Sequence, residues 1–250
     1  MNELKSIVLK RISVPKAQDI LADQLRADIL RGLIAEGASL PPERTLVEQT
    51  GLSRGSVRAA LRTLAVEGLV ETRPGRFGGN VVTLPGKEAL VNSIEQFVRG
   101  RRLPLRTLQE TRDALEPALA RLAAVHRTEA DLLLLKSLHA DLVAAVDHFP
   151  EFSLANIQWH KAVAAASQND LLATFLYAIS YGVVVSTTTE EYDTMDTRQQ
   201  VIKIHSRINE AIEAGDADLA ERRMRQHIGA THERATALDA TNIPLSDENQ

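Results

Sequence analysis

The sequence predicts a mostly α-helical protein in two parts: a compact N-terminal head of three helices and a small β-hairpin, followed by an all-α body. Three observations carry that prediction. Residues 84–88 read Leu-Pro-Gly-Lys-Glu, and Pro85 with Gly86 stops regular structure. Upstream of this break the segments are short and end in glycine. Downstream they are long, rich in Ala and Leu, and helical in period, with no stretch alternating at period two. The expected division is a head over residues 10–83, a linker at 84–88, a helical domain over 89–237 and a flexible tail over 238–250.

In the head, residues 17–31 form a first helix, because Ile20, Leu21, Gln24, Leu25, Asp28 and Ile29 set a stripe at helical spacing. Pro41 and Pro42 preset the start of a second helix, 43–50, which Gly51 ends. Ser53 is a good N-cap for a third, 54–67, with Val57, Ala60, Leu61 and Leu64 on its inner face and Gly68 closing it. Residues 69–72 and 80–83 read as two short strands around the Gly-rich turn 73–79. Helix, helix, tight turn, helix, hairpin is the order of a winged helix-turn-helix. In the body, helices are expected over 88–100, 104–125, 128–147, 151–167, 170–186, 193–214 and 216–237, with breaks at Asn169-Asp170 and Gly215-Asp216.

Composition narrows the function. The 250 residues include no cysteine, which excludes disulfides, thiolate ligands and a cysteine nucleophile. The longest apolar run, near 132–135, is far too short for a membrane span, and the N-terminus lacks the apolar core of a signal peptide. A soluble, cytoplasmic protein with no membrane partner is expected. The net charge of −4 is unevenly divided. Residues 1–82 hold 12 Lys and Arg against 9 Asp and Glu, whereas the rest holds 17 against 24. A basic head on an acidic body suits a DNA-binding module joined to a regulatory one.

A recognition helix must carry its hydrogen-bonding side chains at its N-terminal end, where it enters the major groove. Arg54, Ser56 and Arg58 lie there, opposite Val57 and Leu61. An arginine bonds a guanine edge in bidentate fashion, worth about 1–3 kcal/mol of discrimination. Ser53 can bond a phosphate while capping the helix, and Gly55 lets the backbone approach the duplex. Arg44 is placed for a phosphate, and Arg73 and Arg76 flank the turn at Gly75. Any one of these arginines alone fits a solvated helix face; the set around one helix-turn-helix points to DNA.

The body holds His126, His139, His148, His160, His205, His227 and His232. A single helical histidine is most often a surface or satisfied core residue. Three stand out by spacing. His160 lies one turn after Asn156 on the same face, and His205 and His227 sit mid-helix in two further helices. Neutral imidazoles on rigid helices suit Zn²⁺, Ni²⁺ or a similar divalent ion. Periodicity alone leaves their convergence open, and three histidines can also hydrogen-bond an organic ligand or buried water. Arg112, among Leu108, Leu115 and Leu119, stands where an ion pair with Glu116 at i+4 can form. Trp159 reads as core or pocket wall.

The run LPPERTLVEQTGLSRGSVRAALRTLAVEGLV at 40–70 closely resembles the DNA-binding domain of the GntR family of bacterial regulators, over about 65 residues from Ala17 to Val82. Residues 88–236 resemble the all-helical FCD ligand-binding domain of its FadR-like subgroup. Many members of that subgroup carry Asp-x3-His, a second histidine after 44 residues and a third after 21 more. Both gaps match His160, His205 and His227. The segments at 110–116 and 205–216 resemble that domain as well.

The resemblance implies a homodimer on a palindromic operator. It implies DNA contacts at Arg44, Ser53, Arg54, Ser56, Arg58, Gly75 and Arg76, a divalent metal at Asn156, His160, His205 and His227, and effector binding at Arg112. One position departs from the family: Asn156 stands where the first ligand is usually Asp, so the site loses a full charge. Weaker binding, a different metal preference, or a site filled only beside an anionic effector is expected. The function implied is a ligand-responsive transcription regulator, a repressor, switched by a small organic acid or sugar acid. The alternative is a metal-dependent, hydrolase-like enzyme in the body. No carboxylate stands at a general-base spacing, so no enzyme activity is expected.

Overall fold

The computed structural model describes residues 15–75, 79–187 and 194–236, and the chain divides into two compact units, residues 1–86 and 87–250. Arg76, the first residues of the expected head (10–14) and the tail after 237 lie outside the described residues.

The first unit comprises α1 (Ala17–Leu30), α2 (Glu43–Thr50), α3 (Arg54–Val66), β1 (Val70–Arg73) and β2 (Gly79–Val82). The strands run antiparallel, with Val70 opposite Val82 and Arg73 opposite Gly79, and Ser39 bridges to Val81. Local chemistry sets the tight turn. Gly51 takes the left-handed conformation (φ 68°) and its N–H donates to Val47 O, which stops α2. Two residues later Ser53 Oγ accepts from the Ser56 N–H at 3.1 Å and starts α3. Val57, Ala60 and Leu64 are fully buried against Leu21, Leu46 and Val82. Arg26 donates to both carboxylate oxygens of Glu67, at 2.8 and 2.7 Å, and ties α1 to the end of α3.

Two positions of the expected α1 stripe are misplaced. Ile20 is 56% exposed and Gln24 is exposed, and the buried line is Leu21, Ala22, Leu25 and Ile29. At ~100° per residue, Ile20 falls on the side of Leu21 away from Ala22.

The second unit comprises α4 (Lys87–Gly100), α5 (Leu105–His126), α6 (Glu129–Ala144), α7 (Phe149–Ala166), α8 (Asp170–Thr187), α9 (Met195–Ala214) and α10 (Ala217–Thr236). Helix α4 takes up the last two residues of the expected linker, and α6 stops three residues short of the expected 147. A capping box opens α6: Thr128 Oγ1 accepts from the Asp131 N–H, and Asp131 Oδ2 accepts from the Thr128 N–H at 2.8 Å. Gly215 (φ 73°) turns α9 into α10, and Arg127 braces that turn by donating to Glu213 O and Ala124 O. Helix α5 lies along α10 and also packs on α7, α8 and α9. Small residues (Ala120, Ala123 and Ala124) let those helices close over Trp159, Ile208, Ile212, Met224 and Ile228. Pro117 lies inside α5 and has no N–H for the Asp113 carbonyl one turn back. Among the described residues this unit contains no strand, and no helix is long and apolar enough to cross a membrane.

Candidate functional site

The head presents the expected basic end of α3. Ser53, Arg54 and Arg58 are exposed, Ser56 is half-buried, and Val57 and Leu61 point inward. Ser53 Oγ and Ser56 Oγ lie 3.0 Å apart, so one hydroxyl proton is shared and the cap stays at the protein surface. A Cβ at Gly55 would meet only Ser53 Oγ at 3.7 Å, so the fold itself does not require glycine there. Arg44, on α2, is 80% exposed beside Glu48 at 3.4 Å. Gly75 is exposed at φ 113°, a value that suits glycine, and Arg73 donates to Glu71 at 2.9 Å.

Two head residues escaped the sequence reading. Glu43 accepts from Arg58 at 2.9 Å. Arg62, one turn beyond Arg58, lines a groove of about 640 Å³ between α3 and the wing, shared with Glu43, Arg58, Thr72 and Asn80. The signal for Arg62 was its i+4 spacing from Arg58; a pairing across 15 residues leaves no local mark.

In the body, His160 of α7, His205 of α9 and His227 of α10 do converge. Their Nε2 atoms lie 3.0 Å apart for His205 and His227 and 3.3 Å apart for His227 and His160, and all three rings are buried. Trp159 fixes the group from behind. Its ring stacks on His205 at 3.6 Å between centroids, and its Nε1 donates to Asn209 Oδ1 at 3.1 Å. Of the other histidines, His139 bonds the Ile202 carbonyl at 3.0 Å, His126 and His148 are exposed, and the side chain of His232 lies outside those described.

Arg112 and Glu116 form the ion pair that the i+4 spacing allowed, and the structure extends it. Glu116 accepts from Arg112 Nε with one oxygen and from His160 Nδ1 with the other, each at 2.5 Å. Arg112 also approaches Gln109 Oε1 at 3.5 Å. Burial would raise the Glu116 carboxyl, but the Arg112 charge and the His160 contact outweigh it and hold the group at about 2. An ionised Glu116 accepts a hydrogen bond from His160 Nδ1–H, and in the neutral ring that leaves the Nε2 lone pair facing the other two rings. Burial, then His227 and His160, push His205 well below its ordinary 6.5, so that ring is neutral at pH 7. When all three rings are neutral, as metal ligation requires, at most one proton is shared among the three Nε2 atoms. At least two lone pairs then point into one buried space.

That donor set fits a cation. The histidine ligand atoms all lie within 4.8 Å of one another. Asn156 Oδ1, one turn before His160, is buried with no hydrogen-bond partner among the described residues, and so is His205 Nδ1. An orphaned amide oxygen one turn from His160, taken together with three converging imidazole nitrogens, is a donor set that suits Zn²⁺ or Ni²⁺.

Residues 17–77 match the gntR family of bacterial regulatory proteins, and residues 107–230 match the FCD domain. The chain is a GntR-family regulator. Its two matches fall one on each structural unit, as the 40–70 run and the histidine spacing implied. This GntR-family regulator is 28% identical over 218 residues to the Glc operon transcriptional activator of Escherichia coli K12, covering 84% of this chain and 85% of that protein. It is 29% identical over 209 residues to the galactonate operon transcriptional repressor of the same strain, covering 81% and 90%. The solved structure of Streptococcus agalactiae GntR agrees with a TM-score of 0.62 at 26% identity, over 87% of this chain and 99% of that one. The GntR-family regulator is thus a DNA-binding transcription factor and not an enzyme.

Proposed function

We propose that the chain is a cytoplasmic homodimeric repressor. In this reading the head holds a palindromic operator, and a small organic acid entering the body beside a divalent metal releases it. The observation that carries the reading is the convergence of three buried imidazoles with the orphaned Asn156 oxygen one turn from His160. His160, His205, His227 and Asn156 hold the ion, Zn²⁺ or Ni²⁺, which supplies a Lewis-acid seat for a carboxylate oxygen. Every one of those donors is uncharged, and Arg112 and Glu116 cancel each other. A divalent ion there carries uncompensated charge in a buried space, which favours an anionic co-ligand. Arg112 stands within the same cluster, bonded to Glu116 through Nε and close to Gln109 through Nη1, and serves as the second anchor for an acid.

On the head, Arg44, Ser53, Arg54, Ser56 and Arg58 contact the operator, with Gly75 and Arg76 at the wing. A relative named for galactonate supports a sugar acid as effector, and its name supports repression; the activator relative makes the sign of control part of the test. The acid switches DNA binding only through different affinities for two states of the dimer.

The test uses chelator-stripped full-length protein. Melting is followed with Zn²⁺ or Ni²⁺, with and without a panel of organic acids that includes galactonate, alongside gel shifts on DNA from the chain's own promoter region. The metal should raise the melting point, and an acid should raise it further and release the DNA. With about 6–10 phosphate contacts, DNA affinity should fall ~10³–10⁵-fold from 50 to 200 mM salt. Melting indifferent to metal, together with DNA binding indifferent to every acid, would refute the proposal.

A further inference from the structure

The two arginines at the leading end of α3 are held differently. Arg54 makes no hydrogen bond or close ion pair among the described residues, and only its charge acts on Glu43. Arg58 gives Nε to Glu43 Oε1 at 3.3 Å and Nη2 to Glu43 Oε2 at 2.9 Å, a paired contact across 15 residues. Glu43 is the first residue of α2, where Pro42 fixes the backbone, and its side chain is 37% exposed against 64% for Arg58. The pair stands in the groove between α3 and the wing.

This arrangement is not a stability device. An ion pair this exposed contributes about 0–1 kcal/mol. Nor does it serve raw affinity, because a carboxylate beside the DNA-facing helix repels phosphate; Arg58 holds it ionised, chiefly through their hydrogen bonds. What the pair does is geometric. A guanidinium has two donor edges, Nε with Nη2 and Nη1 with Nη2. Glu43 fills the first and leaves the second open. An untethered arginine would swing to the nearest phosphate; a tethered one presents a fixed fork of the shape that fits guanine O6 and N7.

We propose that Glu43 is a specificity-determining positioning residue: by occupying the Nε/Nη2 edge of Arg58, it aims the Nη1/Nη2 edge at a guanine in the major groove. Arg54, with no such tether, contributes affinity spread over sequences. Specificity bought by a repulsive group is the pattern expected when a site must reject wrong sequences.

The experiment selects duplexes from a randomised pool with the full-length wild-type chain. It repeats the selection with Arg58→Ala, Glu43→Gln, Glu43→Ala and the Arg58→Ala/Glu43→Ala double variant. Anisotropy then gives the affinity of each for the selected site and for a scrambled duplex at one salt concentration. The Glu43 variants and Arg58→Ala should flatten the same base position and its symmetry mate. The preference for guanine there should drop roughly tenfold, with no further drop in the double variant. Binding to scrambled DNA should weaken in Arg58→Ala and hold or tighten in the Glu43 variants, which a merely structural role would not produce. The proposal is overturned if both Glu43 variants keep the wild-type preference or relax a position that Arg58 does not read. It is also overturned if they weaken selected and scrambled DNA equally, or if the wild-type chain selects no base at all.

Discussion

Glu116→Gln is the sharpest test of how the body is held together. The side chain keeps its size and loses its charge. Glu116 joins Arg112 and His160 by two contacts of 2.5 Å, and its side chain is 2% exposed. A pair of unit charges about 4 Å apart is worth about 4 kcal/mol at an effective dielectric of 20. Removing one partner also strands the Arg112 guanidinium in the interior. Breaking a buried pair from one side costs about 3–5 kcal/mol in measured cases, in line with that figure. For a unit of this size each kcal/mol moves the melting point by roughly 2–4 °C, so the variant should melt about 6–20 °C lower. Differential scanning calorimetry of the chelator-treated full chain reads this. An Arg112→Met/Glu116→Leu double variant serves as control, since replacing the pair by apolar side chains should recover the part of the loss that comes from the stranded guanidinium, while His160 Nδ1 stays without its acceptor. A Glu116→Gln variant within ~1 kcal/mol of wild type, or a double variant no better than the single one, would refute the picture of a carboxylate shared between two partners.

Three further expectations follow from the same geometry. Asn156→Asp puts a negative charge one turn from His160 and should tighten Zn²⁺ binding about tenfold or more, read by competition with a chromogenic chelator; unchanged affinity would place Asn156 outside the site. Ser53→Ala removes the hydroxyl that accepts from the Ser56 N–H and should cost about 1 kcal/mol of head stability, measured by urea unfolding, along with weaker operator binding. In metal-free protein the unfolded chain takes up a proton at His205 near pH 6.5 while the folded chain does not, because burial, then His227 and His160, hold it far lower. Stability is therefore full above pH 6.5 and should fall by about 1.4 kcal/mol for each pH unit below it, until the lower folded value is reached; a flat profile from pH 7.5 to 5 would contradict the buried neutral ring.

Helix ends were readable because single residues decide them. Gly51 and Gly215 adopt left-handed backbone where the chain must turn, and Ser53 caps α3 with its own side chain. The inner face of α3 was readable because Val57, Ala60, Leu61 and Leu64 recur at helical spacing and all four are buried. In α1 the same logic slipped, since an apolar residue next to the stripe looks like part of it and Ile20 faces water. The three site histidines were separated from the other four by their gaps and the family resemblance, not by periodicity. Glu116 shows where local reasoning stops. Its bond to Arg112 follows from i+4 spacing, whereas its bond to His160 spans 44 residues and depends on how α5 and α7 pack. Glu43 is the same case in the head.

Pro117 gives α5 two jobs with a soft joint between them. On its N-terminal side stand Arg112 and Glu116, which carry charge; on its C-terminal side stand Ala120, Ala123 and Ala124, which are wedged among neighbouring helices. A rod with one rung missing bends there first. Leu108 and Gln109 ahead of the proline are buried, as are Ala120 and Ala123 behind it, so the missing rung lies between two packed halves of the helix and not beside a free tip.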